Sequence, residues 1–477
     1  MATQTRDLGT FLSDYERDHP EDVIHIEKKI SSIYECTAIA RYFENLNKFP
    51  LILFENVTTA SNETSEFRCV INVMGDRRKL AYAIDSDFEN VGIDWQRKAS
   101  ESKIKPIVVS KAEAPCKQKV LVGADADLLK FPILKHHGMD PGPYITAGMF
   151  TCYDPDTGID NMAIHRGFVS GPREIRCLVT PFTHNAINLR KHEEAGKSMK
   201  VAYWVGHHPA VLMGAQTRIG YPESHYETAG GLAGEPLRLV PSETLGDDFL
   251  VPADAEIVIE GVIKPNHRDL EAPFGEFTRY FGPQQMGPVI EVTAVSHRKM
   301  AIWHSFMVGM NNHFGGTQDE GTIYSAVKKV VPQVQRVYCP VSGSGRFHAY
   351  IQIRKTSEGQ ARDAILAALM ASVWTKHVIV VDEDIDIYDD RWVLWAVATR
   401  SQWDKDLIVI PGCRGYPLDP SVDGAVTAKG GIDANKPAPP ARFPQRIYVP
   451  EDVMKRIRLS EFVEPDKIKS VPTAYDR

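Results

Sequence analysis

Apolar positions recur at helical spacing from the start of the chain. Leu8, Phe11 and Leu12, with Tyr15 extending the face, predict an opening helix over 6–20. Ile33, Cys36, Ile39, Ala40 and Phe43 predict a second over 31–47. LILFEN at 51–56 and FRCVINV at 67–73 are apolar runs of strand length, and 74–95 is partly helical. Helices alternating with strands make 1–122 an α/β domain, its end punctuated by Pro106 and Pro115.

From about residue 123 the pattern shortens. Strands are predicted at 145–153, 159–169, 174–180, 201–206, 210–215, 256–263, 288–297 and 300–308, with a DPDTG turn at 154–158. Helical insertions fall at 187–199 and 222–232. So many short β segments suggest a barrel or sandwich over 123–318. Residues 319–477 return to α/β, with helices at 320–331, 359–373 and 389–400 and strands at 336–341, 347–353 and 377–387. The Pro- and Gly-rich stretch from 401 reads as an extended segment wrapping the body. The fold class expected is multidomain α+β.

With 43% apolar residues among 477, two or three domains can each build a core. A net charge of −7 argues against a general nucleic-acid binder. Seven widely spaced cysteines, with no CxxC pair, favour neither a disulfide framework nor a thiolate zinc site, and a reducing, cytoplasmic setting is expected. The N-terminal stretch lacks the apolar core of a signal peptide, and no run has the length of a membrane span.

Several polar residues could carry chemistry. Asn161 and His184 lie in or beside β segments, and Glu235 follows a Gly-rich stretch. An amide oxygen, an imidazole and a carboxylate together suit Mn2+, Fe2+ or Mg2+ better than structural zinc. Their spacings of 23 and 51 residues form no local motif, so each also fits a hydrogen-bonded structural residue. Arg166 at a strand end could hold a carboxylate bidentately or be a solvated terminus. Glu271 and Glu276 bracket Ala-Pro-Phe-Gly, a stiff path that can hold two carboxylates in defined places. An apolar neighbour raises a carboxyl pKa, so one Glu could donate a proton while an Arg-paired Glu stays ionised. A turn with two solvated acids is the other reading. His304, His313 and the NNHFGG run either line a pocket or form a surface turn. Lys429, among small residues, could approach a phosphate. The acidic run Asp382, Glu383, Asp384 and Asp386 fits a solvated loop better than a calcium site. No P-loop, strand-placed GxGxxG, GxSxG or HExxH is present.

NMAIHR, PFTH, GEP, EAPFGE and HVIVVDEDIDI…WAVATR, in this order, resemble the UbiD family of reversible decarboxylases. The resemblance runs from about residue 30 to about 440. It implies a central flavin-reductase-like split β-barrel and a C-terminal α/β domain with an extended tail. It implies prenylated FMN, a divalent metal (usually Mn2+) and K+ as cofactors. Asn161, His184 and Glu235 then stand as metal ligands that bridge to the cofactor phosphate, with Lys429 neutralising that phosphate. Arg166, Glu271 and Glu276 stand as the catalytic Arg and two Glu, with Glu276 the proton donor. The implied reaction is non-oxidative decarboxylation of an aromatic, heteroaromatic, α,β-unsaturated or aryl-CoA acid through a covalent adduct with the cofactor. A flavin prenyltransferase as cofactor supplier and a homo-oligomer, dimer or hexamer, are the implied partners, with no nucleic acid and no membrane. Two other readings stay open: a flavin-binding oxidoreductase, and a non-catalytic subunit of a carboxylase complex. The chain departs from many relatives at Ala272, where they carry Gly, and over 307–320.

Overall fold

The opening helix forms over Leu8–Asp18 because its apolar stripe has a core to face and its first turn is capped. Leu8, Phe11, Leu12 and Tyr15 are buried, and the Asp7 carboxylate accepts the Thr10 amide hydrogen. The computed structural model describes residues 5–181, 183–309, 313–422, 424 and 426–471. A four-stranded sheet follows in the order Val23–Ile26, Leu51–Phe54, Arg68–Ile71 and Ile302–Ser305. The N-terminal lobe therefore takes its last strand from much later in the chain.

The middle of the chain forms a nine-stranded, curled half-barrel sheet whose pairings are all antiparallel. Its centre is the pair Ile257–Glu271 and Gln285–His297. The stretch expected as one strand over 159–169 is two, Asp160–Ile164 and Gly167–Gly171, broken at His165 and Arg166. Two helices, His184–Glu194 and His225–Ala233, lie beside this sheet. Below, β1 is Asp160–Ile164, β2 is Ile257–Glu271, α1 is His184–Glu194, α2 is His225–Ala233 and α3 is His313–Val330.

Two expectations are corrected. AVLMGA at 210–215 is not a strand but the body of the helix Pro209–Gln216. Pro209 at its first turn and the His208 side chain, which accepts the Ala210 amide hydrogen, start the helix. Pro209 through Ala215 are all buried, so the run carries no periodicity to distinguish helix from strand. The segment from 401 does not simply wrap the body. Leu407–Arg414 and Val426–Ala434 complete a five-stranded sheet ordered Val334–Tyr338, His348–Ile353, His377–Asp382, Val426–Ala434, Leu407–Arg414.

The expected boundary at 318 falls inside α3, one continuous helix that packs on the helices Val91–Glu101 and Gln360–Ala371. All seven cysteines are unpaired, six of them buried. Among the described residues no helix is long and apolar enough to cross a membrane.

Candidate active site

Strand β1 ends at Ile164, and the break that follows turns Arg166 inward against the end of β2. Glu271, the last residue of β2, is fully buried. It receives Arg166 in a two-pronged contact, Nε to Oε1 at 2.9 Å and Nη2 to Oε2 at 2.7 Å. The remaining arm, Nη1, donates to Glu276 Oε1. Tyr144 Oη donates to Glu271 Oε1 at 3.3 Å, and the Phe274 ring lies 5.2 Å from the guanidinium carbon. One cation thus sits between two carboxylates, nearly out of water, with charge-assisted bonds to both.

The intervening segment is as stiff as its composition suggests. Phe274–Gly275 pairs with Phe281–Gly282 in a tight hairpin that carries Glu276. A Cβ on Gly275 would lie 2.3 Å from His137 Nδ1, so only glycine fits there. The buried Asp140 carboxylate accepts the Gly275 amide hydrogen at 3.3 Å. Ala272 has φ +72, a left-handed conformation that an L side chain resists. This yields a prediction. Ala272→Gly should stabilise the fold by about 1 kcal/mol, read as a raised denaturation midpoint with unchanged slope. An equal or lower midpoint would contradict the strain.

A cavity of about 1100 Å³ opens in front of this triad, lined by Arg166 and Glu276 but not by Glu271. Phe274, Phe306 and Phe314 furnish apolar walls. Asn161, His184, His225, Arg218, Arg346 and Lys429 also line it. Asn161, on β1, donates its amide hydrogen to Asn185 Oδ1, which turns its own carbonyl oxygen the other way. His184 opens α1 behind its Thr183 cap and packs on the Tyr221 ring at 4.9 Å. His225 opens α2. Its amide and that of Tyr226 donate to Asp160 Oδ2 at 2.8 and 3.0 Å, and its Nδ1 accepts from the Met162 amide at 3.4 Å. Burial lowers the His184 pKa, and pushes that of His225 down to about 3, so both imidazoles are neutral.

Glu235 does not line this cavity, so the structure does not bring the three expected metal ligands together. It lies ten residues beyond His225, past the end of α2. Nine helical residues put about 13 Å of backbone between them. It accepts the Arg6 amide hydrogen at 2.9 Å and lines a separate hollow with Asp85 and Lys98. Among the described residues no cluster of three or more His, Cys, Asp and Glu could hold a metal. Asn161, His184 and His225 do line one cavity. His225 escaped the sequence reading because a lone histidine after Ser224 carries no spacing signal.

Lys429 reaches the cavity wall, but its ammonium donates to the carbonyls of Leu369, Ser372 and Val373 at 3.3, 3.0 and 3.2 Å. His304 is fully buried against Phe306 and is not a lining residue, and His313 packs on Phe49. Asn311 and Asn312 of NNHFGG, and Phe182 of PFTH, lie outside the described residues. Asp382 and Asp384 are structural: both pair with Arg400.

Comparison with known proteins places this geometry. The N-terminal, Rift-related and C-terminal domain models of 3-octaprenyl-4-hydroxybenzoate carboxy-lyase match residues 16–98, 107–311 and 312–434. Anhydromevalonate phosphate decarboxylase of Methanothermobacter thermautotrophicus is 33% identical over 437 residues, covering 90% of this chain and 97% of that one. Gallate decarboxylase of Lactiplantibacillus plantarum is 30% identical over 451 residues, covering 88% and 90%. The structure of the UbiD-class enzyme HmfF from Pelotomaculum thermopropionicum in complex with FMN superposes with a TM-score of 0.88 at 37% identity. It covers 96% of this chain and 100% of that one. An evolved dimeric form of HmfF in complex with prFMN gives 0.86 at 35%, covering 96% and 100%.

Proposed function

Since this chain belongs to the UbiD family of carboxy-lyases, we propose that its cavity holds prenylated FMN and that Arg166, Glu271 and Glu276 perform the decarboxylation around it. The observation that carries the division of labour is that Glu276 lines the cavity while Glu271 stands behind Arg166. The cavity volume and its mixture of aromatic walls and cationic groups fit a flavin mononucleotide.

The chain is a decarboxylase, and its flat apolar walls suit an aromatic, heteroaromatic or unsaturated acid. The bound cofactor supplies an electron sink for the electron pair released with carbon dioxide. Arg166 orients the substrate carboxylate. Glu271, gripping two arms of the guanidinium, keeps Arg166 in register. Glu276 faces the reacting carbon and delivers its carboxyl proton there after carbon dioxide leaves; water from the cavity mouth restores it. Phe274, Phe306 and Phe314 keep water from the carbanionic centre before that transfer. This is decarboxylation written forward, and the same groups serve carboxylation in reverse.

For the metal, Asn161 Oδ1 and His184 are the donors that fit, and His225 beside them would ligate only by giving up the Met162 amide hydrogen bond to its Nδ1. An oxygen and two neutral imidazoles suit Mn2+ or Fe2+ better than Mg2+, which prefers an all-oxygen shell. Lys429 is held back by its carbonyl partners and takes a phosphate only by releasing them. K+, a flavin prenyltransferase supplying the cofactor, homo-oligomeric assembly and a cytoplasmic location follow from the family reading.

Two variants separate the candidates for the third ligand. His225→Ala should lower bound metal and flavin together by 10-fold or more, measured by elemental analysis and absorbance after anaerobic co-expression with a flavin prenyltransferase. Glu235→Gln should leave both at wild-type content. The reverse pattern would restore Glu235 to the site and remove His225.

A further inference from the structure

The cavity carries a positive charge that the catalytic triad does not explain. Arg166 already has its partners in Glu271 and Glu276. Lys429 spends its donors on backbone carbonyls. Arg218 and Arg346 are different, because they share one carboxylate. Arg218 Nη2 meets Asp319 Oδ1 at 3.0 Å, and Arg346 Nη1 meets Asp319 Oδ2 at 3.1 Å. Asp319 is fully buried and also receives Ser372 Oγ at 3.4 Å.

Each partner comes from a different part of the chain. Arg218 follows the helix Pro209–Gln216, Asp319 is on α3, and Arg346 precedes the strand His348–Ile353. All are fixed in place. Gln318 donates to Gln216 O at 2.6 Å, which ties the segment bearing Arg218 to α3. The Arg346 guanidinium lies 4.8 Å from the Trp374 ring and against Gly315, where a Cβ would come within 2.3 Å of Nη2. Both arginines line the cavity.

Two guanidiniums around one buried carboxylate leave one unit of positive charge facing the cavity. Asp319 and most of Arg346 are out of water, while the partly exposed Arg218 presents its guanidinium to the cavity, so an anion there can meet both forks. A guanidinium pair presents the planar forks that phosphate oxygens accept. The same segment reaches the Asn161 strand, since Gln216 Oε1 accepts the Ile164 amide hydrogen at 2.7 Å. We infer that Arg218 and Arg346, poised by Asp319, form the clamp for the phosphate of the flavin mononucleotide, with Lys429 in a secondary role. This rests on the flavin reading above.

FMN and riboflavin differ only by that phosphate, so their affinities for the full-length protein, measured by flavin fluorescence quenching, isolate it. The wild type should bind FMN the more tightly. Arg346→Gln and Arg218→Gln should each weaken FMN about tenfold and leave riboflavin within twofold. Arg218 is partly exposed, so its variant reports even if the buried Arg346→Gln fails to fold. Equal weakening of both flavins would reduce the arginines to a structural role and overturn the clamp. Unchanged FMN affinity with loss of inorganic phosphate binding would assign them to a substrate phosphate instead, and also overturn it. A wild-type protein that binds neither flavin overturns the flavin reading itself, and the clamp with it. A wild type that binds both alike overturns the clamp alone.

Discussion

Glu276→Gln should abolish turnover while leaving flavin content untouched. Glutamine matches the shape of glutamate and keeps a carbonyl oxygen for the Arg166 Nη1 hydrogen, so the triad geometry persists. It has no carboxyl proton to give. Loss of a positioned general acid costs ~10²–10⁴ in rate, and here there is no second carboxylic acid facing the cavity from the triad, because Glu271 is not a lining residue. The measurement is carbon dioxide release from an accepted acid under anaerobic conditions, beside the absorbance of the bound flavin. The product's hydrogen exchange in deuterated water should disappear together with decarboxylation, since both use the same proton. A variant that turns over within twofold of wild type would take Glu276 out of the mechanism.

Arg166→Ala should be inactive and should also lose stability, by about 3–5 kcal/mol. The guanidinium is the bonded partner of two carboxylates, and Glu271 is wholly removed from water. Deleting it strands both charges in an apolar surround that includes Tyr144 and Phe274. The penalty should shrink as pH falls, because protonation of the stranded carboxylates removes the buried charge. Denaturation at neutral and mildly acidic pH would show this as converging wild-type and variant midpoints. Adding Glu271→Leu to Arg166→Met should recover much of the loss without restoring activity, since a buried ion pair exchanged for apolar groups is nearly neutral. An Arg166→Ala protein of wild-type stability at neutral pH would mean that the carboxylates are hydrated and the triad far looser than its geometry.

How much of this was legible in the sequence depended on distance along the chain. Glu271 and Glu276 are separated by a segment whose proline and glycine limit its path, so their joint placement could be read locally. Arg166 stood out as the charge ending an alternating strand, though its partners lie 105 and 110 residues away. Asn161 and His184, expected as metal ligands, both line the cavity, while Glu235, expected as the third, lines a separate hollow. Helix α2 separates the two, with His225 at its cavity end and Glu235 beyond its other end. The Arg218–Asp319–Arg346 cluster gave no signal at all, as each residue sits in an unremarkable local context.

The fold divides in the same manner. Amphipathic helices such as Leu8–Asp18, and strands such as Glu174–Cys177, follow from periodicity, because a half-buried element must put its apolar residues on one face. AVLMGA and TAKGGIDA escaped for opposite reasons. The first is buried all round and has no polar face to set its period. The second is a central strand whose Gly431 fits beneath Ile365 and Val378, so close packing replaced the usual apolar alternation.

By itself, then, the sequence determined the α/β, β-rich and α/β succession and the stiff EAPFGE segment at its centre. Both depend on interactions between residues a few positions apart, where chain geometry leaves little choice. Only the tertiary structure decided which carboxylate faces the cavity, which candidate ligands line it, and where two arginines share one carboxylate. Those are distances between segments up to a hundred residues or more apart, fixed by the packing of whole helices and sheets and by the cost of burying a charge without a partner.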